Sequence, residues 1–279
     1  MSIVGKATAI SYKSKAEEYA EQKQIEGESV AVRFETYALS GQTTTELIRE
    51  MDNWKHLTGH GDIKNDALWL SFSPSKEVIE QLGNDKMKWK ELHDAWLHEL
   101  GLQNSQRITT MHLGAENDQE RAHLHDLINR IDLDGNVISD HMIGRRAKAA
   151  SEKVSRLYGL KTAEEIGKEQ RSVMKQKANE ALKSLNSWSF HDFQKACEQR
   201  GVKVEPYFFH SKQGETDQLQ GYFFLMQGHR IKASEVDRNL TLSKIKKQYY
   251  KLQKEKENEQ RKIKQQQEQR RNRGRGFRL

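Results

Sequence analysis

The run His123-Leu124-His125-Asp126-Leu127-Ile128-Asn129-Arg130 is compatible with few structures. An extended strand turns alternate side chains to one face, so His123 and His125 point the same way and Leu124 points the other. A third imidazole, His112, stands near the end of the upstream segment Arg107-Ile108-Thr109-Thr110-Met111-His112-Leu113. If the two segments pair as neighbouring strands, three imidazoles converge. That number holds a divalent cation and leaves positions open for a substrate. Taken singly, a histidine on a strand is ordinarily satisfied by hydrogen bonds; the count of three is what points to a metal.

Composition narrows the setting. Of 279 residues, 35% are hydrophobic and 31% charged, which implies a modest core under a very polar surface. No stretch approaches the length of apolar sequence that a membrane-spanning helix needs. The opening Met1-Ser2-Ile3-Val4-Gly5-Lys6 has no apolar signal core, so a cytoplasmic location is expected. The single cysteine, Cys197, forms no internal disulfide, fits a reducing compartment and excludes a cysteine-rich zinc module. Charge is unevenly spread. Residues 244–279 hold 14 Lys+Arg against 4 Asp+Glu, a net of +10, which leaves −3 for the remainder of a chain whose total is +7. Such a tail binds a polyanion or is a solvated helical extension.

Hydrophobic spacing outlines the elements. A strand opens the chain and passes into helix near Lys15; Val30–Glu35 has strand character. Thr44–Trp54 has helical spacing with threonines available as caps. Asp66–Ser73 reads as a buried strand followed by Pro74, and Lys86–Gly101 as an amphipathic helix closed by glycine. The two histidine strands come next. Asp134-Gly135 signals a hairpin turn, and helix returns from Ile143 to Tyr158. A charged helical run spans Lys161–Leu185. A helix from Ser187 to Glu198 then precedes paired strands at Val202–Phe209 and Gly221–Met226. Past Leu242 the Lys/Gln/Glu/Arg-rich chain is expected to be helix that frays into disorder. The expected architecture is α+β: a central antiparallel sheet carrying the His-x-His site, flanking helices, a small helix-hairpin module and a basic tail. The expected boundaries are 1–165 for the first domain, 166–186 for a helical linker, 187–242 for the module and 243–279 for the tail.

The order of these pieces resembles the relaxases, the MobA-like mobilisation nucleases. The matching residues are Leu70-Ser71-Phe72-Ser73-Pro74, His123-Leu124-His125, Asn129-Arg130, Asp134-Gly135-Asn136-Val137-Ile138-Ser139-Asp140 and Gly144-Arg145-Arg146-Ala147. The resemblance covers about residues 1 to 165. It implies a tyrosine nucleophile near the N-terminus, with Tyr19 in register after Gly5-Lys6-Ala7 and Tyr12 as second choice. Two features depart from the family. The stretch between Leu113 and Ala122 is long and polar, so Glu116 stands as an alternative to the preferred His112 as third ligand. Asp126 replaces an aliphatic residue and points away from the histidines. Either that face is exposed, or the carboxylate has a basic partner.

Such a protein nicks and rejoins DNA at a plasmid or transposon transfer origin during conjugative mobilisation. Tyrosine attack gives a 5′-phosphotyrosyl intermediate, and a divalent ion, Mg²⁺ or Mn²⁺, assists. Its substrate is single-stranded or locally melted DNA, and accessory mobilisation and coupling proteins are possible partners. Asp140, Glu116 and Asn129 are candidates to support the ligands; for Asp140 a helix N-cap is the stronger alternative. Arg130, Arg145, Arg146 and Lys148 are candidate phosphate contacts, against the alternative of solvated helix surface. A rolling-circle replication initiator would use the same chemistry, and a non-enzymatic nucleic-acid-binding protein would use the histidines structurally.

Overall fold

The computed structural model describes residues 2–12, 30–113, 122–209 and 218–275, and the chain divides into two units, Met1–Ile166 and Gly167–Leu279. The expected helix near Lys15, Tyr19 and Glu116 lie outside the described residues.

The first unit is built on a five-stranded antiparallel sheet. In chain order its elements are β1 (Ile3–Ile10), β2 (Val30–Tyr37), α1 (Thr44–Leu57), β3 (Ala67–Pro74), α2 (Lys76–Leu82), α3 (Lys86–Leu100), β4 (Ser105–Leu113), β5 (His123–Asp132) and α4 (Ile143–Leu157). The strand order is β1-β3-β5-β4-β2, so the two histidine strands are adjacent inside the sheet. Helix starts follow local chemistry. Thr43 and Glu46 form a reciprocal capping box on α1, and Asp85 accepts from the Met87 and Lys88 amides at the start of α3. Gly101 ends α3 in the left-handed conformation, as its position predicts. The Asp134-Gly135 turn forms with Gly135 at φ 83°, but only a single bridge, Ile131 to Val137, follows it, not a strand pair.

Alternation divides the sheet into two faces. Leu68, Leu70, Phe72, Leu124 and Ile128 point to one side and pack with Trp89, Trp96 and Leu97 of α3 and Ala147 and Val154 of α4. Trp96 is fully buried and lies so close to β1 that a Cβ at Gly5 would meet its ring at 2.4 Å; only glycine fits there. On the other side, Leu47, Ile48 and Met51 of α1 cover Ala67, Ile108 and Leu127. That cover reaches one end of the sheet. Toward the other end, Ser71, Ser73, His123 and His125 are only half-buried.

The second unit has its own core. It comprises α5 (Ala163–Ser184) from Gly167 onward, α6 (Phe190–Glu198), β6 (Lys203–Phe209), β7 (Gln218–Met226), β8 (His229–Lys232), α7 (Ala233–Val236) and α8 (Ile245–Arg275). The strands form an antiparallel β6-β7-β8 sheet, one strand more than the hairpin read from the sequence. Met174, Ala178 and Leu182 of α5 are buried with Phe193, Tyr222 and Phe224. The segment expected to be a linker is therefore a core helix: an apolar stripe at i, i+4, i+8 is hidden by packing. Ile245, Tyr249 and Leu252 join the same core, so the first turns of α8 belong to this unit. Among the described residues, no helix is long and apolar enough to cross a membrane.

Candidate metal centre

The β4–β5 ladder sets His112 directly opposite His123 and Thr110 opposite His125. Directly opposed residues carry their Cβ atoms about 5 Å apart, and His123 and His125 share a face by alternation. The ring centroids are 5.3 Å apart for His112–His123, 4.5 Å for His112–His125 and 4.8 Å for His123–His125. One nitrogen from each ring lies within 4.8 Å of the others.

The polar bookkeeping fits a cation. His112 is 2% exposed, and its Nε2 is buried with no hydrogen-bond partner among the described residues. Such an atom costs about 1–3 kcal/mol unless something takes its lone pair. Nε2 of His123 and Nε2 of His125 face each other at 3.1 Å. His125 Nδ1 sits 3.3 Å from the Leu70 carbonyl. With the proton on Nδ1 donated to that oxygen, Nε2 presents its lone pair to the cluster, the usual support for a metal-bound histidine. Trp69 stacks on the same ring at 4.8 Å and 16°. Burial, aided by the neighbouring imidazoles, pushes His112 and His125 down to about 4. Both are then neutral near pH 7, the form that ligates. Leu70 and Trp69 were missed from sequence, although alternation along β3 would have placed Trp69 and Ser71 on the histidine face.

Beneath the site, Asp126 has the basic partner that its burial demands. The carboxylate is fully buried on the opposite face. Its Oδ2 lies 3.0 Å from His93 Nε2, and its Oδ1 accepts from Thr109 Oγ1 at 2.7 Å.

Several expected residues lie elsewhere. Asn129 is buried; it donates to the Met51 carbonyl and to Gln106 Oε1 and accepts from the Ile131 amide. Four residues separate it from His125, roughly 13 Å along a strand, too far to support the ligand. Arg130 is turned inward rather than toward phosphate: its guanidinium donates to the Ile138 and Asn65 carbonyls and pairs with Asp140 at 3.1 Å. Asp140 is thereby taken by Arg130, and neither supports a ligand nor caps α4, whose N-cap is Met142. Arg146 donates to the Ser139 and Leu100 carbonyls, and Lys148 pairs with Glu152 and Glu164. Arg145 is exposed.

Tyr12 follows β1 at the end of the sheet away from the histidines, since Ile10 pairs with Ala67 and Ala67 with Asn129. Its hydroxyl is buried without a partner among the described residues. Burial and the carboxylates of Asp66 and Asp52 hold its pKa well above the ordinary phenol value. Such a hydroxyl is a poor nucleophile.

A family model for the relaxase MobA/VirD2-like nuclease domain matches residues 19–160, a span that includes Tyr19 and all three histidines. Neither the curated proteins nor the solved structures yield a match.

Proposed function

The chain belongs to the MobA/VirD2-like relaxases, and from that premise we propose that it nicks and rejoins one DNA strand at a plasmid or transposon transfer origin in conjugative mobilisation. The observation that carries the proposal is the His112, His123 and His125 cluster on the half-open face of the sheet. In this scheme the Tyr19 hydroxyl attacks the scissile phosphorus. A 5′-phosphotyrosyl bond forms, the phosphorus–O3′ bond breaks and a free 3′-OH leaves; because the phosphodiester energy is kept, the same 3′-OH can reverse the step. A phenol with pKa near 10 needs help to lose its proton at neutral pH. A divalent cation bound by the three imidazoles supplies positive charge for a scissile phosphate oxygen. The three histidines contribute uncharged donors, so none of that charge is cancelled. An all-nitrogen donor set suits first-row transition ions better than Mg²⁺.

The test is incubation with supercoiled parent plasmid and Mn²⁺ or Mg²⁺, mapping the nick and any protein-linked 5′ end. Calorimetric titration with Mn²⁺ runs in parallel. Replacing His112, His123 and His125 together with Ala should abolish both nicking and metal binding. Wild-type behaviour in that variant would refute the assignment.

A further inference from the structure

The sheet of the second unit has one buried and one open face. Val204, Tyr222, Phe224 and Met226 point into the core. The opposite face carries aromatic and basic side chains and no covering element among the described residues. A bulge between Tyr207 and Phe208 pairs Tyr207 with Gly221 and Phe208 with Leu219. The extra residue is Gln220 on β7, so β6 keeps its alternation: Tyr207 shares the outer face with Phe223, and Phe208 projects to the other side. Tyr207 is 36% exposed. Gly221 lets the Tyr207 ring lie across the strand: a Cβ there would sit 2.8 Å from its hydroxyl. Tyr207 also contacts Phe223, at 5.1 Å between centroids. The Arg230 guanidinium covers Phe223 at 3.5 Å and is held there by Glu205 at 2.7 Å. Lys203 and Lys232 are exposed and flank the rings, opposite Leu225 and Phe223.

We infer that this outer face of the β6-β7-β8 sheet is a second binding site for single-stranded DNA, with bases stacked on Tyr207 and the Arg230–Phe223 pair. Large rings left in water on a flat face, with cations at the margin, are how single strands are held without sequence readout. A protein partner would be expected to meet a more continuous apolar face; here Lys203, Arg230 and Lys232 outnumber the one acidic residue, Glu205. The whole second unit carries 26 Lys+Arg against 13 Asp+Glu, which favours a polyanion. Paired bases hide their faces, so a stacking platform selects unpaired strands. The inference rests on the proposed action on DNA strands, but its test requires no nicking.

The experiment uses the full chain and a 20-nucleotide strand of arbitrary sequence carrying iododeoxyuridine. Photo-crosslinks mapped by peptide mass should fall on Tyr207 or Phe223 in wild-type protein and equally in the His123→Ala/His125→Ala variant. Tyr207→Ala/Phe223→Ala should weaken binding of the strand at least about tenfold by the worth of base–aromatic stacking. Its salt slope and its affinity for the matching duplex should stay unchanged. Crosslinks confined to the first unit and the basic helix, or unchanged single-strand affinity in the folded double variant, would overturn the proposal and leave the face to a protein partner. Loss of nicking with crosslinks intact would count against the proposed function alone.

Discussion

His93 and Asp126 form a fully buried pair, Nε2 to Oδ2 at 3.0 Å, in the core directly behind the strand that carries His123 and His125. Asp126 is the residue next to His125, so whatever fixes its side chain also fixes that stretch of β5. Breaking the pair from one side leaves a buried polar group unsatisfied, whereas replacing both members does not. Asp126→Ala should therefore cost at least about 2 kcal/mol in urea unfolding. His93→Leu combined with Asp126→Leu should recover most of that loss. A double variant no more stable than the single one would show that the pair is not an isolated unit, Thr109 being the first suspect because it also donates to Asp126.

Acid should destabilise the metal-free protein through its histidine cluster. His112 and His125 are held at about 4 by burial first and by their neighbours second, below the ordinary histidine value. Between the folded and unfolded values the unfolded chain binds more protons, so stability rises with pH across that window. The contribution is complete above the unfolded pKa of about 6.5 and is lost as pH falls toward about 4. Urea midpoints in the presence of chelator, compared between wild type and His112→Gln/His125→Gln, isolate this term from the carboxylates. The wild-type slope should be the steeper one; identical slopes from pH 4 to 6.5 would contradict the burial of these rings.

The two tyrosines should separate cleanly. Tyr12 carries a buried hydroxyl without a partner among the described residues, so Tyr12→Phe should leave the unfolding midpoint unchanged or slightly raised. It should also leave covalent adduct formation intact. Tyr19→Phe should bind an origin oligonucleotide and form no adduct. An adduct mapped by peptide mass to Tyr12 would reverse both assignments.

The basic helix should contribute salt-dependent affinity. A cut after Thr241 would strip Ile245, Tyr249 and Leu252 from the second core, and a cut before Gln253 would remove its bonds to the Leu182 and Leu185 carbonyls. Truncation after Lys256 spares these and removes 8 Lys+Arg and 3 Asp+Glu, a net of +5. The slope of log K against log salt for duplex DNA should fall in magnitude by up to about 4–5. Sequence preference should persist, because phosphate contacts position without reading bases. An unchanged slope would assign the charge to another partner.

What the sequence determined by itself is what depends on backbone period and on neighbours a few residues away. Alternation alone puts His123 and His125 on one face, and Thr43, Asp85 and Gly101 mark their helix ends because caps are local chemistry. The strand order β1-β3-β5-β4-β2 and the exact opposition of His112 and His123 were decided by tertiary structure. Pairing register between distant strands is chosen by burial of a whole face, and no short window contains it. The same holds for polar side chains whose role depends on what surrounds them. Arg130 reads as a phosphate contact until the fold closes Asn65, Ile138 and Asp140 around it. Asp126 reads as a problem until α3, 33 residues away in the chain, delivers His93. A charge can be recognised from composition, but whether it faces water or a partner is settled only when segments far apart in sequence pack together.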